Sequence, residues 1–155
     1  INIYHERHWA GGEDDPGVSH LQCQVCHSQD YKSCNACHAG GAGITGSSYM
    51  TYKIGKNYRK SDDKPYDYVV VRHVPIAPTT FEEWGLSELA EFDSEPTWKY
   101  ATPHNIQRNT PQNESCTNCH GNEEIFLTVD KVNPEEVNAN LNVIVDEIPA
   151  PIGAP

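Results

Sequence analysis

The sequence predicts a mostly irregular fold, with short helices and few strands, wrapped around something larger than its own side chains. Three observations carry that expectation. Apolar residues are 37% of the 155, below the roughly 45–50% usual in globular domains, although the two tallies group residues slightly differently. Eleven Gly and eleven Pro interrupt regular structure further. One five-residue pattern also occurs three times, as Cys23-Gln-Val-Cys26-His27, Cys34-Asn-Ala-Cys37-His38 and Cys116-Thr-Asn-Cys119-His120, and it uses all six cysteines.

C-x-x-C-H is the attachment signature of c-type haem. Two thiols three residues apart in a single turn point to the same side, where they can add across the two porphyrin vinyl groups. The adjacent His then falls beneath the metal. Three repeats predict three covalently bound haem c groups, held by Cys23, Cys26, Cys34, Cys37, Cys116 and Cys119, with His27, His38 and His120 as proximal iron ligands. Such groups bring large apolar faces that can be buried like side chains. The fold expected is therefore polypeptide around a stacked three-haem core, with an apo-chain that does not fold stably. Other readings of the cysteines explain less. Zinc ribbons separate their Cys pairs by about 15–20 residues, whereas seven lie between Cys26 and Cys34, and Cys116/Cys119 would lack a second pair. Iron–sulfur clusters and disulfides do not require a His after every second Cys.

Along the chain, the length suits a single domain. Residues 1–47 form a two-haem segment, with only six residues between His27 and Cys34, so the first two porphyrins are expected in near contact. Gly40, Gly41, Gly43 and Gly46 then suggest a loop. Residues 48–110 carry no cysteine and supply distal ligands. A strand is expected at Tyr68–Val74 and a helix from Phe81 to about Phe92, opened by Thr80 with Glu83 three residues on. Gly85 inside that helix weakens it. Residues 111–130 hold the third haem site. In residues 131–155, Asn133-Pro134-Glu135-Glu136 starts a short helix, Leu141–Val145 is strand-like, and Glu147–Pro155 reads as an extended arm.

The second axial position of each iron decides the chemistry. A second strong ligand gives an electron-carrying haem, while an open site can bind a small molecule. His5, His8, His20, His73 and His104 are candidates for three positions. His73 and His104 each have a proline within two residues that stiffens the backbone. His20 lies too close to Cys23 to cap that motif's own haem and suits the Cys34/Cys37 neighbour. His5 and His8 form an H-x-x-H pair, of which one serves as ligand and one as a solvated residue. Met50 is the sole methionine and competes with five imidazoles. The three Trp and eight Tyr are expected to pack on porphyrin faces and edges.

A formal charge of −11 disfavours nucleic acid and anionic membrane surfaces and favours basic protein patches or metal cations. The same acidity also simply aids solubility. No signal peptide is visible at Ile1–His5. Since haem attachment normally follows export, the expected location is periplasmic or extracellular. No apolar run approaches the 18 or more residues of a membrane span.

With these motifs the chain resembles a multihaem c-type cytochrome of metal- and sulfur-respiring bacteria and archaea. The H-x-x-H pair ahead of the first motif is similar to small periplasmic multihaem carriers. The stretches Trp98–Arg108, Cys116–Asn122 and Ile125–Thr128 resemble C-terminal parts of larger multihaem cytochromes. The likeness covers about a third of the chain, and only the C-x-x-C-H units are specific. It implies stacked haems, bis-histidine ligation and electron transfer to redox protein partners or extracellular acceptors. Some extracellular relatives polymerise into conducting filaments, and the N-terminal H-x-x-H and C-terminal tail would suit exchange of arms between subunits. Two alternatives stand beside this non-enzymatic reading. One is a haem enzyme with an open site reducing a sulfur or nitrogen oxyanion, held by Arg7, Arg59, Arg72 or Arg108, although propionate pairing also accounts for those arginines. The other is a cytochrome subunit of a respiratory complex.

Overall fold

Tyr68-Val-Val-Val71 is a short apolar run of β-branched residues, the composition of a strand buried on both faces. The computed structural model of the protein describes His8 and residues 20–29, 52–74 and 78–152, and it places that run in the middle of a sheet. His5, Cys34, Cys37, His38, Met50 and the glycine loop at 40–46 lie outside the described residues. The sheet is antiparallel, in the order β1 (Tyr52–Lys56), β2 (Tyr68–His73), β3 (Trp98–Tyr100). Ile54 faces Val70 across β1 and β2, and His73 faces Trp98 across β2 and β3.

Because strand side chains alternate, β2 serves two different cores. On one face Val69, Val71 and Trp98 pack with Leu127, Val132, Val143 and Ile144. On the other, Ile54 and Val70 pack with Val25, Ala101, Phe126 and Val145. The chain therefore supplies a buried core of its own, which its composition did not suggest. The apolar residues are few, but they come from segments that converge on β2.

Regular structure elsewhere is short. Helix α1 is Cys23–His27, α2 is Pro111–Glu114 and α3 is Val137–Asn140. Single 3-10 turns lie at Glu82–Trp84, Cys116–Asn118, Glu123–Ile125, Val129–Lys131 and Pro134–Glu136. The expected helix at Pro134 is present, as a 3-10 turn running into α3 with Pro at its first turn. The helix expected from Phe81 to Phe92 is not. It stops after Trp84, where Gly85 adopts φ 72° and turns the chain back, and Leu89 N–H then donates to Pro78 O at 2.9 Å. Glu82 through Glu88 are all exposed, so no buried face sustains a longer helix. The strand expected at Leu141–Val145 is a turn. The Asn140 carbonyl accepts from the N–H of both Val143 and Ile144, and only Val145 N–H reaches an extended partner, Leu127 O, at 2.8 Å.

Two buried amides tie these pieces to the sheet. Asn140 accepts from Trp98 N–H at 2.9 Å and donates to Thr97 Oγ1 at 2.8 Å, fixing α3 to β3. Gln22, just ahead of α1, accepts from Val70 N–H at 2.9 Å and donates to Tyr100 Oη at 3.1 Å. Each group would cost about 1–3 kcal/mol if left buried without partners. Among the described residues no helix is long and apolar enough to cross a membrane.

Candidate haem-binding motifs and their surroundings

The first motif occupies a single helical turn, so Cys23 and Cys26 share a side. The third does so in a tighter form. Cys116–Asn118 is a 3-10 turn, and His120 N–H closes it on Cys116 O at 2.8 Å.

Helix α2 joins the two motifs. Its N-cap Thr110 donates through Oγ1 to Cys26 O, and Asn113 Oδ1 accepts from Thr110 N–H at 3.0 Å. The Asn113 amide donates to Arg108 O at 2.9 Å and Cys26 O at 3.2 Å. Gln112 donates to Ser28 O at 2.7 Å, while its carbonyl accepts from Cys119 Sγ at 3.7 Å. Burial, then the neighbouring sulfurs of Cys119 and Cys23, push the Cys26 thiol up to about 11. Burial and Cys116 likewise raise Cys119. In the chain alone these surroundings hold both sulfurs as uncharged thiols rather than as activated thiolates.

Both described motif imidazoles are oriented alike. His27 Nδ1 lies 3.1 Å from Gln107 O and His120 Nδ1 lies 3.1 Å from Ala150 O. A carbonyl only accepts, so at His120 Nδ1 carries the proton and Nε2 keeps a lone pair, the tautomer of a metal-ligating histidine; at His27 the Asn113 side-chain amide also lies 3.3 Å from Nδ1, so that nitrogen has both a donor and an acceptor beside it. The Gln107 carbonyl is available because residues 105–107 dock along α1. Ser28 bridges Ile106, Gln29 N–H donates to Asn105 O, and Gln107 N–H donates to His27 O.

His120 and Cys119 border a cavity of about 400 Å3, walled by Leu21, Val25, Ile54, Phe126 and Ile148. His8 enters it from the other side, with its ring centroid 6.2 Å from that of His120 and the planes 75° apart. Two imidazoles bound to one metal through bonds of about 2 Å have a similar centroid spacing, so this edge-to-face pair is compatible in distance with shared ligation. A second cavity of about 390 Å3 lies beside the first motif, against Val25, Tyr52, Ile54, Val70 and Ile125. Both cavities are on the same face of the sheet. Arg72 shares that face opposite Tyr52, and its Nη1 is buried without a hydrogen-bond partner. An acidic group such as a porphyrin propionate would satisfy it. The motif residues present thus fit a c-type haem.

The other expected ligands divide. His20 borders the His120 cavity and binds Asp67 through Nδ1 at 2.5 Å. His104 is exposed in the loop that leads to Asn105, beside the first motif. His73 is turned away from both cavities. It lies on the opposite face of β2, stacks on Trp98 at 5.1 Å, and directs Nε2 to Glu136 Oε2 at 2.9 Å. The side chain of Glu136 is 3% exposed, so His73 serves as the partner of a buried carboxylate. Sequence reasoning passed over that pair, as well as Gln22, Asn113 and Asp67, because their partners lie between 47 and 87 residues away.

The tail expected as an exchangeable arm meets the third motif of its own chain at Pro149, Ala150 and Pro151. Gly121 N–H donates to Pro149 O at 2.9 Å and Pro151 covers Gly121. Gly121 sits at φ 75°, and a Cβ there would meet Pro151 Cγ at 2.8 Å. Gly121→Ala is therefore expected to cost about 1–3 kcal/mol, read as a lower urea midpoint. Among the described residues no group of three or more His, Cys, Asp or Glu could hold a bare metal ion. Compared with family models, curated proteins and solved structures, the chain matches none.

Proposed function

We propose that this protein is an exported electron carrier containing three haem c groups, each with two axial histidines. The observation that carries this reading is the His8–His120 pair, 6.2 Å apart across an apolar cavity that Cys119 also borders. When bound, haem supplies one-electron exchange between Fe(III) and Fe(II).

The chain's own residues make that exchange easy and keep other chemistry out. Ala150 O holds the Nδ1 proton of His120, and Gln107 O lies against Nδ1 of His27, so both rings would keep their orientation with a haem bound. His8, which shares the cavity with His120, would compete with small molecules for a haem bound there, which favours a carrier over an oxyanion reductase. Leu21, Phe126 and Ile148 give the same cavity an apolar lining, which would limit solvent rearrangement during transfer. Helix α2 supports a short path, because it hydrogen-bonds the first and third motifs directly. Arg72 is suited to hold a propionate. The acidic surface suits a basic protein partner or a cationic acceptor. His8 and the tail both engage the third motif of one chain, so the reading does not require a filament with exchanged arms.

The test is the purified, export-processed protein. Its mass should exceed the chain by three tetrapyrroles, and its ferric spectrum should be low-spin throughout, with no carbon monoxide adduct after reduction. Colourless protein, or a high-spin haem in the unaltered chain, overturns the proposal.

A further inference from the structure

Charge is not spread evenly over this acidic chain. Lys56, Arg59, Lys60 and Lys64 put four of its eleven basic residues on nine consecutive positions, with only Asp62 and Asp63 among them. They lie at the end of β1 and in its connection to β2. The next connection, between β2 and β3, holds six acids from Glu82 to Glu95 and no base. In an antiparallel sheet successive connections fall at opposite ends, so the sheet has a basic end and an acidic end. The basic end is held in shape by its own hydrogen bonds. Asn57 N–H donates to Asp67 O at 2.8 Å, and the N–H groups of Ser61 and Lys64 donate to each other's carbonyls at 3.2 and 2.9 Å. The Asn57 amide adds bonds to Lys64 O at 3.0 Å and Tyr66 O at 2.9 Å. A preformed surface of this kind lowers the ordering cost of docking.

Two of the four cations are matched by carboxylates, Lys56 by Asp146 at 2.7 Å and Lys60 by Asp67 at 2.5 Å. The other two rest on rings. Arg59 lies 5.6 Å from the centre of the Tyr58 ring and Lys64 5.4 Å from that of Tyr100, and among the described residues neither is in an ion pair. A ring face holds a cation without neutralising it, so both keep their charge for a partner. Arg and Tyr side by side are also common at the centres of protein interfaces. The same residues edge a polar cavity of about 750 Å3, with Lys56, Tyr58 and Lys60 on its rim. That cavity shares His20 and Tyr68 with the one that His120 borders. An acidic group seated on the hairpin is thereby brought beside the third motif.

We infer that the β1–β2 hairpin is a docking surface for an acidic protein, which exchanges electrons there with the haem of the third motif. The redox half of this rests on the haem reading above, and the docking half does not. The partner is a protein with a compact carboxylate patch rather than a nucleic acid or an anionic membrane. Four cations cover a short stretch, and beyond it the net charge of −11 repels an extended polyanion. The acidic end of the sheet turns the same partner away, so the field of the molecule orients its approach.

Two probes of the holoprotein test this. A fluorescein-labelled polyglutamate peptide, followed by anisotropy, should bind at low salt and be released at about 0.3 M. Arg59→Glu and Lys64→Glu should each weaken it by about fivefold or more, whereas Lys99→Glu, the same charge change on β3, should alter it by less than about twofold. Stopped-flow oxidation by ferricyanide reads the redox half, each Fe(II) giving one electron to one ferricyanide. The rate should fall as salt is added, whereas the net charge alone would make it rise. Arg59→Glu should slow ferricyanide severalfold and should not slow the cationic oxidant hexaammineruthenium(III). The inference is overturned if the peptide does not bind, if Arg59→Glu and Lys64→Glu bind it like the parent, if a DNA duplex or anionic vesicles bind more tightly than the peptide, or if the ferricyanide rate rises with salt. Any of these in a three-haem, low-spin protein leaves the carrier reading standing. A preparation without haem removes that reading, and peptide binding still decides the docking surface.

Discussion

His8→Ala is expected to leave three haems attached and to turn one of them high-spin. The covalent links come from the cysteines, which the substitution does not touch, so haem content should not change. The loss falls on the face of the third motif opposite His120, where the paired ring at 6.2 Å disappears. Among the described residues the one other His bordering that cavity is His20, whose backbone and ring are both held by Asp67. Carbon monoxide uptake by the reduced protein should therefore rise from none to one per chain, and the potential of that haem should rise with the loss of a strong donor. His73→Ala is the matched control. It removes an imidazole of the same type from the other face of the sheet, so the spectrum should stay low-spin. The cost appears in stability instead, because Glu136 is then left buried without His73, worth about 1–3 kcal/mol. If His8→Ala remains fully low-spin, the pairing of His8 with the third motif is wrong.

Leu127→Ala should have the largest effect on stability. Leu127 is fully buried, on the face of the sheet away from the cavities, among Val69, Val71 and Val143. Its backbone joins β1 to the C-terminal segment, accepting from Val145 N–H at 2.8 Å and donating to Ile54 O at 2.9 Å. Truncating a buried leucine costs about 2–5 kcal/mol, a large part of the 5–15 kcal/mol or so of a typical domain. Denaturant melts followed by far-ultraviolet circular dichroism should show it. The visible spectrum of the native state should not change, because among the described residues no motif residue belongs to that cluster. A variant that melts like the parent would mean that bound cofactor, rather than the valine cluster, carries the fold.

How legible these features were depends on the range of the interaction behind each. The C-x-x-C-H units are local, and the described ones form single turns as their spacing requires. The strand at Tyr68–His73 was readable because a run of β-branched residues buried on two faces has few other uses. The turn at Pro134 was readable because proline constrains its own backbone. The helix from Phe81 failed for a local reason that the sequence did contain, since Gly85 takes a left-handed conformation and the flanking glutamates bury nothing. Leu141–Val145 failed for a less visible one: the Asn140 carbonyl captures two N–H groups before a strand can start. The site itself was half legible. Histidines could be counted, but His73 and His8 are separated in role by the face of the sheet they meet, and Asp67 reaches His20 across 47 residues. Such pairings depend on topology, which local composition does not encode.

The lock between the tail and Gly121 also bears on the order of assembly. The carbonyl that orients His120 belongs to Ala150, thirty positions downstream, so a chain threading out amino end first displays its third motif before that imidazole is held. The third motif therefore gains its held imidazole only after residues 149–151 have emerged. Chains cut short before Pro149 would carry the thiols but lack the carbonyl that aligns His120, so on the proposed reading haem attachment there would be completed later than at the first motif.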